Sequence, residues 1–539
     1  KTGVGKISVT AKSGSYSASQ EIEIEVRPSN PRVVDVTAGL IAAGESWEAA
    51  IEAPGMPGTN AARLELSEIP PLNLSSRLSE LIRYPHGCIE QVVSGAFPQL
   101  LLGRLTEVTA EQKKAAEGYI RAALVQLPGF ILGTGGMSYW PGTPYSSPWG
   151  TSYAGHFMLK AEEAGYSMPF GVKDKWLDFQ KNEARNWRKG TASYVQDDLI
   201  QAYRLYTLAL AGSPEFGAMN RLREESGLGL MARWNLAAAY ILAGRPEVAE
   251  NLINRLSREV NTYRELSGTY GSELRDRAMI AETLVLLNRK TEAFPLIADL
   301  SAHLASGEWM STQTTAYCLL AVAHFAGGGY PGQGQLNAGV SVNGSEIEKV
   351  ATQKVLWQKV LPLKNNKKAS VKVQNNSNKY LYARVIAEGI PVAGDSTSVQ
   401  DNLLLEVSYT DLQGRQINPA VIRQGTDLVA EVRVRHPGQR ETYRELALTT
   451  IFPPGWEILN SRANDLESSL KSDPFDYQNV RDDRVYTYFD LKPGEQKTFR
   501  ILLNAAYEGT FYLPSVQCEA MYDNRIYARK PGRWVEVVR

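Results

Sequence analysis

Apolar and polar residues alternate over residues 4–27 in two runs, GKISVTAKS and SQEIEIEVRP, with Gly and Ser between them. Period-two alternation interrupted by turn residues predicts a β-hairpin. A single hairpin is too little for a domain, so it is read as the last strands of a truncated β-sandwich. RPSNP at 27–31 reads as a linker, and strand patterns resume in VVDVTAGLIAAGESWEAAIEAP (33–54) and ARLELSEIP (62–70). From Leu72 to about Ala326 the period lengthens to that of helices, separated by Gly or Pro. CIEQVVSGAFPQLLLGRL, DLIQAYRLYTLALAG, GLMARWNLAAAYILAG and RDRAMIAETLVLLN are examples, and several end at Gly, as helix C-termini favour. Recurring helical hairpins with Ala/Leu-rich faces and no polar capping repeats predict a closed α/α toroid of about a dozen helices.

GGYPGQGQ (328–335) ends the helical block, and strand patterns return in NAGVSVNGSEI, KVLWQKVLPL, ASVKVQNN and KYLYARVIAEGI. The β segments on either side of the helices are each small for a sandwich. Together they make one, with the toroid inserted between its strands. PVAGDSTSVQDN (391–402) reads as a second linker. From Leu403 onward, short strands recur at sandwich spacing.

Composition narrows the function classes. The 539 residues suggest about three or four domains. Lys+Arg and Asp+Glu balance at 58 each, so nothing marks a nucleic-acid or polyanion partner. The three cysteines, Cys88, Cys318 and Cys518, are far apart and show no metal spacing, so no metal or cofactor is expected. Cys318 and Cys518 read as small apolar core residues. No run approaches the roughly 18 apolar residues of a membrane span, and no signal-peptide pattern opens the chain. Because it starts at Lys1 within a strand-like run, the chain is read as a fragment, which leaves its location open.

The chemistry concentrates in YPHGCIEQ, Tyr84 to Gln91. If a helix starts near Cys88, Cys88 and Gln91 share one face of its first turn. The sulfur then reaches the Gln91 side-chain carbonyl, and loss of ammonia would close an internal thioester. The alternative is a buried, inert cysteine at a helix start. His86 suggests a general base, but reads better as a turn residue. Nucleophile-elbow, phosphate-loop and H-E-x-x-H patterns do not occur in the sequence.

The order of these blocks, with YPHGCIEQ at the toroid's start, resembles the C-terminal half of the alpha-2-macroglobulin and complement thioester family, its bacterial branch in particular. Gly87, Cys88, Glu90 and Gln91 match the family's GCGEQ motif, with Ile89 replacing the second glycine. GGMSYWPG (135–142), WGTSYAGHFMLKA (149–161), WMSTQTTAYCLLA (309–321) and FYLPSVQCEAMYDNRIYAR (511–529) fit the same family. The resemblance implies a multi-domain α and β chain, an α/α toroid inserted in a CUB-like β-sandwich and flanked by macroglobulin-like β-sandwiches. Its expected divisions are 1–29 (truncated macroglobulin-like sandwich), 30–70 and 331–393 (CUB-like domain), 71–330 (thioester toroid) and 394–539 (C-terminal macroglobulin-like sandwich).

It further implies that Cys88 supplies the thioester sulfur and Gln91 the acyl carbonyl, with Tyr84 shielding the bond. Glu90 is expected to serve the positive helix N-terminus rather than polarise the site. Met137, Tyr139, Trp140, Trp309 and Met310 are expected to give a dry lining. Complement-type members direct the thioester to hydroxyls with a distant histidine. The corresponding segment here, YVQDDLIQAY (194–203), has none, which leans toward amines such as lysine.

The implied function is a single-use endopeptidase inhibitor, a broad-spectrum protease trap capturing its target covalently through lysine or a hydroxyl. The family places it in the periplasm as a lipid-anchored monomer, and some relatives associate with penicillin-binding proteins. Two readings compete. One is a toroid enzyme acting on polysaccharides, with Asp197 and Asp198 as candidate carboxylates. The other is an envelope scaffold with an inert Cys88.

Overall fold

The computed structural model describes residues 3–26, 33–67, 72, 74–83, 87–190, 196–263, 268–306, 308–327, 335–363, 369–391, 397–459 and 471–539. Strands β1 (Gly3–Ser13) and β2 (Tyr16–Val26) pair antiparallel as a sheet of their own, leaving Val4, Ile7, Val9 and Ile22 exposed. β3 (Val33–Ile41), β4 (Ser46–Ile51) and β5 (Ala61–Ser67) precede the helices. β6 (Leu336–Val342), β7 (Glu348–Thr352), β8 (Leu356–Leu361), β9 (Ala369–Asn375) and β10 (Leu381–Gly389) follow them. These eight strands form two sheets, ordered β3-β10-β5-β8 and β4-β9-β6-β7. Their inner faces share one core, in which Ile51, Leu64 and Leu66 meet Val340, Val371 and Val385. Neither half could bury this surface alone, so the helical block is an insertion within a single sandwich.

The helices are α1 (Leu74–Arg83), α2 (Ile89–Ala96), α3 (Leu102–Leu105), α4 (Ala110–Gln126), α5 (Pro148–Glu163), α6 (Val172–Asn186) and α7 (Asp197–Leu210). They continue with α8 (Phe216–Glu224), α9 (Leu230–Leu242), α10 (Pro246–Ile253), α11 (Glu273–Leu286), α12 (Lys290–Ala305) and α13 (Thr312–Ala326). α2, α5, α7, α9, α11 and α13 each pack on the next, and α13 returns to α2, closing an inner ring. The ring is closed. α4, α6, α8, α10, α12 and α1 pack around it. Inner helices meet neighbours on every side, so α13 is buried from Thr312 to Ala323 and carries no charge before His324. Gly165 (φ 89°) and Gly244 (φ 74°) end α5 and α9 in the left-handed region that glycine favours. There Tyr166 N–H reaches Ala161 O and Arg245 N–H reaches Tyr240 O.

One segment departs from its pattern. CIEQVVSGAFPQLLLGRL reads as a single helix, but a 3₁₀ turn at Phe97–Leu101 separates α2 from α3. Pro98 supplies no N–H and crowds the preceding turn, so the α-ladder ends before it.

The C-terminal block stacks three sheets. The largest runs Val399–Asp401, Asp523–Lys530, Val516–Ala520, Tyr443–Ile451, Arg484–Leu491, Tyr477–Val480. Its inner face (Leu446, Leu448, Phe489, Leu491, Cys518) forms a core with Leu405, Val432 and Phe499 of the four-stranded sheet. Its outer face (Ala447, Tyr486, Tyr488) joins Met521 against Cys88 and Trp140 of the toroid. Side chains alternate along a strand, so this sheet is apolar on both sides. That double face seats the sandwich on the toroid's end. Among the described residues no helix is long and apolar enough to cross a membrane.

Candidate functional site

The site forms where α2 begins under the C-terminal sandwich. Cys88 is the N-cap of α2, with extended backbone (φ −71°, ψ 161°), and Gln91 occupies the third helical position. N-cap and third-position side chains lie on the same side of a first helical turn, as in a capping box, and the Gln91 backbone N–H faces the Cys88 thiol. Both residues are buried. Gln91 Nε2 donates to Met521 Sδ at 3.3 Å, while its carbonyl Oε1 has no hydrogen-bond partner among the described residues.

The loop ahead of α5 supplies one wall. Ile89 N–H donates to Tyr139 O (3.0 Å), tying the start of α2 to that loop. Ser147 N–H and Thr151 Oγ1 both donate to Met137 O, which pins the loop to the first turn of α5. Tyr139 and Trp140 are thereby held over the sulfur. The sandwich supplies the other wall. Trp140 stacks on Tyr477 (centroids 4.9 Å, 13°) and lies 4.3 Å from the Tyr488 ring. Tyr139 stacks on Tyr270 at 5.2 Å, and Tyr270 packs on Tyr522 at 5.0 Å.

Tyr522 is the polar centre of this apolar seam. Its hydroxyl lies 4.0 Å from Cys88 Sγ, 2.8 Å from Tyr139 OH and 2.8 Å from Glu90 Oε2, to which it donates. Glu90 also accepts from Ser94 Oγ (2.6 Å) and from Thr312 Oγ1 (3.0 and 2.8 Å). Ser94 in turn shares a hydrogen bond with Tyr153 OH at 3.0 Å. Burial pushes the Cys88 thiol far up and the Glu90 charge adds to this; the Tyr139 hydroxyl and the Gln91 backbone N–H oppose it. Glu90 is also held above the usual carboxylate range by burial, against the pull of its three hydroxyl donors.

The expected residues fare differently. Tyr84 and His86 lie outside the described residues. Cys88, Glu90, Gln91, Tyr139 and Trp140 come together. Met137 is buried in the toroid's own core, and Met310 packs against that core. Trp309 is corrected: it stands 37% exposed, two residues ahead of the Ser311 N-cap and outside the first turn of α13. Glu90 lies in the first turn of α2, at the positive helix end, and three hydroxyls also bond its carboxylate, one of them from the sandwich.

Asp197 and Asp198 do not line the small cavity of the ring interior and are engaged in hydrogen bonds. Asp197 accepts from Trp187 Nε1, and Asp198 accepts from the Leu199 and Gly229 backbone N–H groups. Trp149, Tyr153, Tyr203 and Tyr317 stack through the ring interior. Beside them, between His156, Tyr203 and Tyr317, a cavity of about 10 Å³ is too small for a sugar chain.

Comparison with known proteins fits this arrangement. Residues 403–524 match the Bacterial Alpha-2-macroglobulin MG10 domain. The Escherichia coli (strain K12) alpha-2-macroglobulin is 25% identical over 93% of the chain and 31% of its own length. The chain is similar to bacterial alpha-2-macroglobulins along nearly its whole length.

It spans about a third of the length of the curated alpha-2-macroglobulins it matches. The crystal structure of native E. coli alpha-2-macroglobulin from domain MG7 to the C-terminus superposes with a TM-score of 0.83 at 22% identity. It covers 100% of this chain and 88% of that one. A Salmonella alpha-2-macroglobulin reacted with methylamine gives 0.84 at 23% identity, over 100% of this chain and 36% of that one. The fold is therefore that of the alpha-2-macroglobulin C-terminal region.

Sequence reasoning missed half the site. Met521 and Tyr522 lie in the family-like stretch 511–529, but neither was singled out, and Tyr486 and Tyr488 showed only strand alternation. Apolar residues at both parities of that alternation mark a sheet covered on two sides, and that signal could have found them. Thr312, the first residue of α13, also reaches the site. Ser311 takes the N-cap role, accepting from Thr314 N–H, and so frees Thr312 for Glu90.

Proposed function

We propose that this chain carries the covalent-capture part of a protease trap, an internal thioester between Cys88 and Gln91 that acylates an amine of the attacking protease. One observation carries the reading. Cys88 and Gln91 stand at the N-cap and third helical position of α2, both buried, and the C-terminal sandwich covers that helix start with aromatic rings and Met521. A thioester is an acyl donor open to water and amines, so it persists only where both are excluded. The isolated Gln91 carbonyl supports the same bond. A buried acceptor without a donor costs about 1–3 kcal/mol, and a thioester carbonyl, a weaker acceptor than an amide, loses less there.

Attack by an amine forms an amide at residue 91 and releases the Cys88 thiol, so each molecule acts once. Moving the sandwich off the toroid would open the site to a lysine. The methylamine-treated Salmonella relative of the same fold supports an amine-reactive centre. We place the full-length protein in the periplasm on a lipid anchor, following the family resemblance.

Intact mass of freshly prepared protein tests the bond. The expected mass is one ammonia below that of the sequence; methylamine then adds only its own mass, leaving the product one CH2 above the sequence mass with a titratable thiol at Cys88. A mass equal to the sequence mass, with no methylamine adduct, would overturn it.

A further inference from the structure

Cys88 faces a difficulty that shielding alone does not address. A thiol buried so deeply stays protonated and unreactive, so closing a bond to Gln91 needs a base at the sulfur. The only carboxylate hydrogen-bonded into this cluster, among the described residues, is Glu90, and Tyr522 stands between them. Glu90 is fully buried and bonded only by hydroxyl donors, Ser94, Thr312 and Tyr522, with no ion-pair partner among the described residues. Isolating a carboxylate this way is costly, and such costs concentrate at sites that use the charge.

We propose that the Tyr522 hydroxyl is the acid–base group for the Cys88–Gln91 bond, relaying protons between the sulfur and Glu90, so that the thioester closes only with the sandwich seated. The inference rests on the thioester reading above. The thiol proton passes to the Tyr522 oxygen 4.0 Å away as the tyrosine's own proton passes to Glu90 Oε2 at 2.8 Å. The sulfur electron pair then bonds to the Gln91 side-chain carbon. The carbon–nitrogen bond breaks with its pair on nitrogen, and the same proton returns through Tyr522 to the departing ammonia. Met521, which accepts from Gln91 Nε2, is the neighbour of Tyr522, so the leaving nitrogen lies beside the relay. The net change is thiol plus primary amide to thioester plus ammonia, with no other reactant. Tyr522 touches a reacting atom, whereas Glu90 acts through it and is a positioning residue.

The test uses the whole chain, as Tyr522→Phe and Glu90→Gln, with thermal melts to confirm folding and peptide mass analysis of residue 91. Three products are distinct: ammonia lost (closed), glutamate with a free thiol (closed, then hydrolysed), and glutamine with a free thiol (never closed). Acid–base relays are worth about 10²–10⁴ in rate, so both variants are expected to retain glutamine, and raising the pH should partly restore closure in Glu90→Gln. Closure or glutamate at wild-type proportion in either folded variant would overturn the relay and leave Tyr522 a shield. Because each variant probes the relay from a different domain, one that fails to fold leaves the other to decide. Glutamine retained in the wild type would instead remove the thioester reading itself.

Discussion

Trp140 is the toroid's main apolar hold on the sandwich, because its indole is 4% exposed and faces Tyr477 and Tyr488 at once. Truncating a buried Trp to Ala costs about 3–5 kcal/mol in a core. At a seam between two domains, part of that cost falls on docking. Trp140→Ala is therefore expected to lower thermal stability and speed loss of the proposed thioester to water, read as the rate at which glutamate appears at residue 91. An unchanged hydrolysis rate would mean that this ring does not exclude water. Residues of this kind were legible only in part. Cys88 and Gln91 stood out because their spacing has a chemical meaning. Trp140 and Tyr522 both lay in family-like stretches, but Tyr522, like Tyr488, is a sandwich residue whose partners in the toroid lie hundreds of positions away. Apolar residues at both parities of a strand mark a sheet covered on two sides, but they do not say what covers it.

The helical hairpins were legible as elements because their stops are local. Gly244 ends α9 where the apolar period ends, and the Ser272 and Ser311 hydroxyls accept backbone N–H bonds at the starts of α11 and α13. How closely two helices approach was not legible. A methyl group on Gly155 of α5 would lie 2.1 Å from the Trp176 ring of α6, whose Nε1 is fixed by Thr151 O at 2.8 Å. Overpacking of this sort costs about 1–3 kcal/mol, so Gly155→Ala should lower the unfolding midpoint in urea without changing the slope. Arg275 joins α11 to its neighbours. It is fully buried, bonds Asp276 Oδ1, Thr269 O and Gln313 Oε1, and lies 4.7 Å over the Trp149 ring. Arg275→Met leaves Asp276 without its cation, and breaking a buried pair in this way costs about 3–5 kcal/mol. Calorimetry should show the loss, and a change below 1 kcal/mol, about the worth of an exposed pair, would show that the network is dispensable.

At the scale of the molecule, the sequence supported a split sandwich because two small β segments flanked one helical block, but not how the toroid meets the C-terminal domain. That meeting is acidic. Glu445 sits on a bulge of Tyr443–Ile451 with φ 54°, a left-handed conformation uncommon for a residue with a side chain. Its carbonyl accepts Met521 N–H at 3.0 Å, so the bulge belongs to the wall of the site. Burial pushes its carboxyl well above 4.5, Asp490 and Asp476 add to the shift, Arg444 opposes it, and Glu90 across the seam adds again. Folding and seating therefore bind a proton that the separated chain releases. The resulting stability is complete below the free value of 4.5 and drains away as pH climbs through the raised one. Glu90 and Asp476, shifted upward chiefly by burial, slope the same way. Glu445→Gln removes one contribution and keeps the shape. Between about pH 5 and pH 8 the wild-type unfolding midpoint should therefore fall relative to that of the variant. Methylamine uptake, compared at matched pH so that amine ionisation cancels, should rise more steeply in the wild type. Parallel curves would place Glu445 outside the linkage and leave the seam's closure to its aromatic packing alone.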